Sequence, residues 1–275
     1  MAYARVDGTR FWYDTAGSSG PPVLLMMGLA TRGNAWAAQI EGLHKDHQLL
    51  WYDHRGIGGS ESPSNVYSIA DMADDVAGIM DVVGWSTAHI VGLSMGGMVA
   101  QEFAIRYGHR VRSLSLLVTT PGGIRGNAAC VVGLPRLAQC FVGSGRDRFK
   151  GFQKALFPDE FIESTDQSWF RSIVRKDFDG EAGMGTLMAQ INASRAHNTS
   201  DRLRRLKGLP SLIVSGEQDT IIHSSESKRL HRLIPGSELR AYPEAGHGVN
   251  FQLADELNGV LSRHFEIADA RYVRR

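Results

Sequence analysis

The chain has little of what marks several common classes of protein. It holds only two cysteines among 275 residues, Cys130 and Cys140, which are too few for a disulfide framework. Neither has a His or Cys nearby at zinc-ligand spacing, so we expect no metal site and two small buried side chains in a reducing compartment. A formal net charge of +1 gives no reason to expect nucleic acid or an acidic membrane surface as a partner.

Long apolar runs are also missing. The longest are far shorter than the roughly 20 residues that span a bilayer, so we expect no membrane insertion. The stretch from Met1 to Gly8 lacks a basic region followed by an apolar run, which predicts no secretory signal and a cytoplasmic protein. The 43% of hydrophobic and 21% of charged residues are typical of a globular chain, and its length fits one large domain or a domain with an insertion.

One stretch of the sequence indicates chemistry. Residues 89–92 (His-Ile-Val-Gly) favour a buried strand, residues 92–96 (Gly-Leu-Ser-Met-Gly) match G-x-S-x-G, and residues 98–107 are compatible with a helix. Strand, turn and helix in this order are the context in which G-x-S-x-G forms a nucleophile elbow, a sharp turn that exposes a serine hydroxyl. A chance match is the alternative in a chain with 31 glycines, but the flanking strand and helix argue against it.

The elbow chemistry explains the residue types in this motif. Gly92 and Gly96 have no Cβ, so the strand and the helix can approach each other closely on both sides of the turn. The turn would hold Ser94 in a strained backbone conformation, which costs on the order of 1–3 kcal/mol and persists only when its surroundings enforce it. The start of the helix would direct free N–H groups to the place where an oxyanion forms. We therefore predict that Ser94 is a nucleophile.

Strands and helices alternate over most of the chain. The apolar patterns and turn residues predict eight strands, near residues 3–7, 10–15, 23–27, 48–52, 89–92, 111–120, 211–216 and 237–242. Helices are predicted near residues 36–44, 69–83, 98–107, 224–234 and 251–265. Such alternation predicts an α/β fold with a mainly parallel sheet of about eight strands flanked by helices.

The interval between residues 124 and 205 interrupts this alternation. It has no strong strand pattern and offers helical pieces at 128–141, 146–156, 167–177 and 184–197. We predict a core domain formed by residues 1–123 and 206–275, with residues 124–205 inserted as a helical cap or lid. Inserted there, the cap would lie over the carboxyl ends of the strands, where ligands bind in open α/β sheets.

Five segments together resemble the α/β-hydrolase fold superfamily, over essentially the whole chain and in the family's order. They are specific for the superfamily and only weakly specific for a substrate. The segments are Leu24-Leu25-Met26-Met27-Gly28-Leu29, Asp53-His54-Arg55-Gly56-Ile57-Gly58-Gly59-Ser60, Gly92-Leu93-Ser94-Met95-Gly96-Gly97, Gly216-Glu217-Gln218-Asp219 and Ala245-Gly246-His247.

The resemblance implies a catalytic triad in the order Ser, acid, His. His247 stands at the family's position for the base, in a loop before the last helix. Asp219, three residues after Gly216, stands at the acid position, where it would orient the imidazole and stabilise the imidazolium. Glu217 is the nearby competitor. Some members carry the acid after the strand that here ends near Thr120, but no acid is present there, which favours Asp219.

The resemblance also implies an oxyanion hole made of two backbone N–H groups, those of Leu29 and Met95. Many relatives have His-Gly where this chain has Met27-Gly28, so we expect a more apolar pocket floor. The loop at Asp53 to Ser60 is expected to be structural, with Asp53 and Arg55 tying adjacent loops. The substrate pocket is predicted to be lined by seven residues: Met27, Gly28, Phe157, Trp169, Met184, Met188 and Val249.

By this resemblance we expect a cofactor-free serine hydrolase that cleaves a small, largely apolar carboxylic ester through an acyl-enzyme, as a monomer or a dimer. Enol-lactonases, carbon–carbon bond hydrolases and cofactor-free perhydrolases share the same triad and stay open. The Met27-Gly28-Leu29 stretch lacks the glycine-rich oxyanion segment typical of carbon–carbon hydrolases, which disfavours that alternative. An alternative of another class is a ligand receptor of this fold with slow turnover.

Overall fold

The computed structural model describes residues 1–62, 66–131, 139–140, 144–177 and 182–272. In these ranges the chain forms an eight-stranded sheet in the order β1-β2-β4-β3-β5-β6-β7-β8. The strands β1 and β2 pair antiparallel with each other, β2 pairs antiparallel with β4, and the other neighbours are parallel. The strands are β1 Ala2–Val6, β2 Thr9–Ala16, β3 Pro22–Met26, β4 Gln48–Tyr52, β5 Ala88–Leu93, β6 Val111–Leu117, β7 Ser211–Gly216 and β8 Glu238–Tyr242.

Helices occupy both faces of this sheet, which confirms the predicted α/β class. Short 3₁₀ turns at Gly33–Trp36, Gly108–Arg110 and Leu203–Leu206 join some of them. The α-helices are α1 Ala37–Leu43, α2 Ile69–Val83, α3 Met95–Arg106, α4 Gly123–Val131, α5 Gly145–Leu156, α6 Asp159–Ser164, α7 Gln167–Asp177, α8 Met184–Ala196, α9 Ser225–Leu233, α10 Val249–Gln252 and α11 Ala254–Tyr272.

Local sequence signals explain where several elements begin and end. Asp7 and Gly8 both have positive φ, of 46° and 82°, as a two-residue hairpin turn between β1 and β2 requires. The helix α2 begins with a capping box in which Ser68 and Asp71 each accept a hydrogen bond from the other's backbone N–H. It ends at Gly84, whose φ of 78° is the left-handed conformation that glycine adopts without strain.

Apolar side chains fill both sides of the sheet. On one side, α2 and α3 pack their buried residues against the sheet, with Phe103 at 0% exposure. On the other side, α1 and α11 cover it, with Phe265 of α11 at 1% exposure. Every residue of β5 is buried, because helices cover both faces of this central strand. The sheet therefore holds the turn after β5 on a rigid support.

Between β6 and β7 the chain is helical in the described ranges, through α4, α5, α6, α7 and α8. An isolated bridge between Gly122 and Asn198 closes the two ends of this segment. Part of the helical piece predicted at 128–141 lies outside the described residues. Residues 63–65, between β4 and α2, lie outside them as well. No helix of the described ranges is both long enough and apolar enough to cross a membrane.

Candidate active site

The motif serine lies at the sharp turn between β5 and α3. Ser94 has φ 55° and ψ −120°, a left-handed conformation that is strained for a residue with a Cβ. Its backbone is fixed from two sides: the Ser94 N–H donates to the carbonyl of Leu117 at 2.9 Å, and the Thr119 hydroxyl donates to the Ser94 carbonyl at 2.6 Å. These bonds from the end of β6 hold the strained turn in place.

The glycines of the motif allow close backbone contact at the turn. A Cβ built on Gly92 would collide with the carbonyl oxygen of Gly96, and one built on Gly96 would collide with the carbonyl oxygen of Met26. A Cβ built on Gly97 would lie 2.6 Å from the Cβ of Thr119. Any larger residue would push α3 away from the sheet, because backbone atoms have little freedom to move aside.

Asp219 and His247 form a buried pair. Nδ1 of His247 lies 2.7 Å from Oδ2 of Asp219, and the two side chains are 7% and 1% exposed. Since an ionised carboxylate only accepts hydrogen bonds, the proton of this bond belongs to Nδ1, which leaves Nε2 of a neutral imidazole free to accept a proton. The other oxygen of Asp219 accepts the backbone N–H groups of Ile221 and Ile222 at 2.7 and 2.9 Å, which fixes the carboxylate.

The competitor Glu217 points elsewhere. Its carboxylate accepts hydrogen bonds from the Lys228 ammonium at 2.8 Å and from the Ser215 hydroxyl at 3.1 Å. The bond from Lys228 lowers the pKa of Glu217, as expected for a carboxylate beside a cation. Of the two acids that follow β7, Asp219 is therefore the one in contact with an imidazole.

Ser94 and His247 line one cavity of about 140 Å³, with Asp219 behind the histidine. Side chains on the wall of this cavity are mostly apolar, so a bound substrate would lose most of its water there. Polar atoms come from Thr31, Thr120, Asn127, Ser194, Arg195 and Asn250. The apolar wall is built by Leu93, Met98, Phe152, Ala155, Leu156, Ile191, Ile221, Ile222 and Phe251.

The loop after β3 runs beside the serine. Gly28 and Leu29 line the cavity, as does Met95 at the start of α3. A Cβ built on Gly28 would lie only 3.3 Å from the Cβ of Ser94, so any side chain on residue 28 would crowd the nucleophile. Leu29 and Met95, the two residues predicted to supply oxyanion N–H groups, therefore lie on the same cavity as Ser94.

A buried histidine supports this loop from behind. Nε2 of His54 lies 2.8 Å from the carbonyl oxygen of Met27, and a carbonyl only accepts, so Nε2 carries the proton. Burial lowers the pKa of His54 to about 4, which keeps the ring neutral at physiological pH. His54 thus contacts backbone and lies outside the cavity lining, as expected for a structural residue.

The predicted structural loop ties its neighbours together. Asp53 accepts the N–H groups of Gly33 and Gly59 at 2.8 and 3.0 Å. Arg55 forms a two-pronged ion pair with buried Asp75 on α2. These contacts join the loops at the carboxyl ends of β3 and β4, so Asp53 and Arg55 have structural partners.

Five of the seven predicted pocket residues lie outside the cavity lining, while Met27 and Gly28 are part of it. Met184 and Met188 are 63% and 47% exposed, because α8 turns them toward solvent. Val249 is 0% exposed and packs in the core beneath α11. For Met184 and Met188 the prediction was wrong because helical spacing gives a face without saying which neighbour covers it. Val249, which no helical pattern supported, was wrong because its side chain is part of the core.

The two aromatic residues of the prediction form a second layer. Phe157 and Trp169 pack against each other with ring centroids 5.8 Å apart, and both contact Phe170. Phe157 also lies 6.5 Å from Phe251, which does line the cavity. The pair was therefore wrongly assigned to the cavity wall and instead supports it from behind.

Sequence reasoning missed several lining residues. Ile221 and Ile222 lie two and three residues after the acid, and their N–H groups donate to Asp219 while both residues line the cavity. Their position so close to the acid was an available signal. Cys130 and Cys140 were expected to be buried small residues and are cavity residues as well. Burial raises their pKa to about 11 and about 12, so both thiols stay protonated.

In the described ranges, no group of three or more His, Cys, Asp or Glu side chains could hold a metal ion. What the residues bring together is a serine on a strained turn and a carboxylate-oriented imidazole on one apolar cavity. Fold and site together are those of an α/β-type hydrolase.

Comparison with known families agrees with this class. Residues 21–252 match the family described as the alpha/beta hydrolase fold. The chain belongs to this family and is a hydrolase of the α/β fold.

Individual relatives differ in activity. The chain is 27% identical to the RutD protein of Azorhizobium caulinodans, named as a candidate carbamate hydrolase, over 95% of this chain and 97% of the relative. The enol-lactonase of Burkholderia xenovorans LB400 is 25% identical with a TM-score of 0.84, covering 96% of this chain and all of its own (100%). A thermophilic esterase of Thermogutta terrifontis is 23% identical with a TM-score of 0.82, over 97% and 98%, and shows the fold alone.

Proposed function

We propose that the chain is a serine hydrolase that cleaves a small, largely apolar carboxylic ester with Ser94, His247 and Asp219 as its triad. The observation that carries the proposal is the 2.7 Å bond between His247 Nδ1 and Asp219 Oδ2 beside a cavity that Ser94 also lines. This bond leaves Nε2 of the imidazole to act as a base, which is what a serine nucleophile needs.

The first half of the reaction is acylation. Ser94 Oγ attacks the ester carbonyl while His247 Nε2 takes the hydroxyl proton. The carbonyl oxygen becomes an oxyanion that accepts hydrogen bonds from the N–H groups of Leu29 and Met95, and losing one such donor typically costs about 10²–10³ in turnover. The C–O bond to the alcohol then breaks, and the leaving alkoxide takes the proton from His247.

The second half is hydrolysis of the acyl-enzyme. A water molecule gives a proton to His247 Nε2 and attacks the acyl carbon, and the same two N–H groups stabilise the second oxyanion. The bond to Ser94 Oγ then breaks, and Oγ recovers its proton from His247. Asp219 stays ionised throughout and stabilises the imidazolium formed in each half. No step requires a cofactor.

We also propose that residues 124–205 form a cap that selects the substrate. Support comes from the cavity wall, because α4, α5 and α8 contribute Cys130, Phe152 and Ile191 to it. The core contributes the facing wall, with Ser94, His247 and the loop after β3, so the substrate would lie between the two parts. A cytoplasmic location, suggested by the sequence, fits a protein with two free thiols.

A second candidate is hydrolysis of a carbamate, favoured by the RutD relative at 27% identity over nearly the whole chain. A carbamate also has a carbonyl carbon that Ser94 would attack, and the same triad would act on it. Enol-lactone cleavage is favoured in the same way by the enol-lactonase at 25% identity.

The experiment that tests the proposal is hydrolysis of p-nitrophenyl esters of increasing acyl length, alongside a p-nitrophenyl carbamate and an enol lactone. We expect steady multiple turnover of short esters by the wild type, and its loss in Ser94→Ala. A matched control is Ser115→Ala: Ser115 is a buried serine of β6 outside the cavity lining, and its hydroxyl has no hydrogen-bond partner among the described residues.

The other outcomes point to the alternatives. Folded protein that cleaves only the carbamate or only the lactone would replace the ester assignment while keeping the triad. A single turnover followed by a stall would favour a ligand receptor of this fold. Equal activity in Ser94→Ala and the wild type would refute the nucleophile itself.

A further inference from the structure

The loop after β3 contains a strained residue next to a predicted oxyanion donor. Ala30 has a φ of 55°, in the left-handed region that a residue with a Cβ rarely adopts. It directly follows Leu29, whose N–H is proposed to bind the oxyanion. A peptide group is planar, so the backbone angles at residues 29 and 30 decide together where this part of the loop lies. Something outside the loop must therefore hold Ala30 in its conformation.

The holding contact comes from α8, far away in sequence. Oε1 of Gln190 accepts the N–H of Ala30 at 2.8 Å, over a separation of 160 residues. Gln190 is 0% exposed and Ala30 is half-buried, so the acceptor of this bond lies inside the protein. Its Nε2 lies 3.5 Å from the carbonyl oxygen of Arg55, on the neighbouring core loop. Gln190 thus touches both loops at the carboxyl ends of β3 and β4.

The helix that carries Gln190 is seated firmly on the core. One turn earlier, Thr186 packs so closely on Gly56 that a Cβ there would lie 2.5 Å from the threonine hydroxyl. Ala193, one turn later, belongs to the same core cluster as α2 and α3. These three residues recur every three or four positions and form the buried face of α8. Gln190 lies at the centre of that face, where its position is fixed on both sides.

We infer that Gln190 is a positioning residue of the oxyanion hole. By accepting the N–H of Ala30 it holds residues 29–30 in the conformation that presents the Leu29 N–H to the reacting oxygen. His54 supports the other end of the same loop through the carbonyl of Met27. The inference rests on the proposed function, since it assigns a role to the loop that this function uses.

The contact between Gln190 and Ala30 links α8 to the chemistry. Ile191, the next residue on α8, lines the cavity, so a substrate that presses on this helix presses on the residue beside Gln190. A helix that shapes the cavity therefore also sets the oxyanion loop. Substrates that displace α8 would be turned over slowly even when they bind, since the loop would lose its acceptor.

The test replaces Gln190 by Met, which has a similar length and no strong acceptor. We expect kcat for a p-nitrophenyl ester to fall about 10-fold, with KM changed less than about 2-fold. The loss should be smaller than the roughly 10²–10³-fold effect of removing an oxyanion donor, because the Leu29 N–H is displaced and not removed. Affinity for benzeneboronic acid, whose tetrahedral adduct with a serine mimics the oxyanion, should fall by about the same factor. Gln190→Glu keeps an acceptor oxygen and should restore most of kcat.

The matched control is Gln153→Met. Gln153 is another buried glutamine of the helical segment, but its amide donates to Gln167 within that segment at 2.9 Å. We expect this variant to leave kcat and boronate affinity unchanged. Equal losses in Gln153→Met and Gln190→Met would overturn the inference, because they would reflect general damage to the segment. A rise in KM alone would overturn it as well.

A second measurement does not depend on activity. Hydrogen exchange of the peptide that covers residues 28–31 should be faster in Gln190→Met, because the Ala30 N–H loses its buried acceptor. Unchanged exchange would refute the holding contact. If the wild type shows no turnover that depends on Ser94, the proposed function is refuted. Faster exchange in Gln190→Met would still show the contact between Gln190 and Ala30.

Discussion

The sharpest prediction concerns the carboxylate that orients the histidine. In Asp219→Asn, the single amide oxygen must take the Oδ1 position, because the N–H groups of Ile221 and Ile222 donate to that position at 2.7 and 2.9 Å. The new NH₂ group therefore takes the Oδ2 position, 2.7 Å from His247 Nδ1. Two donors cannot face each other, so Nδ1 must give up its proton and become an acceptor.

The consequence is the wrong tautomer of the base. A neutral imidazole with its proton on Nε2 cannot take the proton of Ser94. From serine hydrolases whose aspartate is changed in this way, we expect kcat to fall about 10⁴-fold, or about 5.5 kcal/mol of transition-state stabilisation. The fold should survive with little change in stability, because the contacts at Oδ1 are kept.

The assay is p-nitrophenyl ester hydrolysis at saturating substrate, with the melting temperature measured in parallel. Glu217→Gln is the matched control, since this acid also follows β7 but pairs with Lys228. We expect its kcat to stay within about 2-fold of the wild type, because a surface ion pair contributes little to stability and Glu217 lies outside the cavity lining. A loss of less than 10-fold in Asp219→Asn, or an equal loss in Glu217→Gln, would refute the assignment of the acid.

Further predictions concern packing, pH and the cavity. Gly96→Ala should destabilise the fold by about 1–3 kcal/mol and remove activity because its Cβ meets backbone, whereas Gly108→Ala, with open space around it, should leave the melting temperature unchanged. Ile191→Ala should shift the preferred ester toward longer acyl chains, because Ile191 lines the cavity. Met188→Ala, at an exposed residue of the same helix, should leave the preference unchanged. The same acyl-length profile in both variants would contradict the cavity assignment. The free energy of unfolding should fall as pH drops from about 6.5 toward 4, by up to about 1.4 kcal/mol per pH unit for each buried histidine. The reason is that the unfolded chain binds more protons than the folded one in that window. Urea unfolding at pH 7.5 and pH 5 measures this, and equal values would contradict it. The histidines whose pKa burial lowers to about 4 are His54, His89, His197 and His264.

Local signals predicted the elements of the core well. The capping residue Ser68 and the stop at Gly84 set α2 to within a residue, because caps and left-handed glycines act through their nearest neighbours. The continuous apolar run at residues 23–27 predicted a strand buried on both faces, which β3 is. Such signals need no knowledge of distant parts of the chain.

The candidate cavity was harder to predict. Met184 and Met188 have the right spacing for an inner face of α8, yet the buried face carries Thr186 and Gln190. Periodicity alone cannot orient a helix whose apolar residues are spread around its circumference, because which face is buried depends on what the helix meets. The aromatic layer of Phe157 and Trp169 was misplaced for the same reason: large rings stabilise a wall from behind as readily as they line it.

The sequence by itself determined the order of strands and helices, the elbow at Ser94 and, through the family resemblance, the candidate acid and base. These depend on residue types at short spacing: glycines where backbones meet, a serine at a turn, an aspartate after a strand. Only the tertiary structure decided that Asp219 meets His247, that α8 supports Ala30 through Gln190, and which side chains form the cavity. Those contacts join residues 28 and 160 positions apart, and they exist only because the packed sheet brings its loops to one edge.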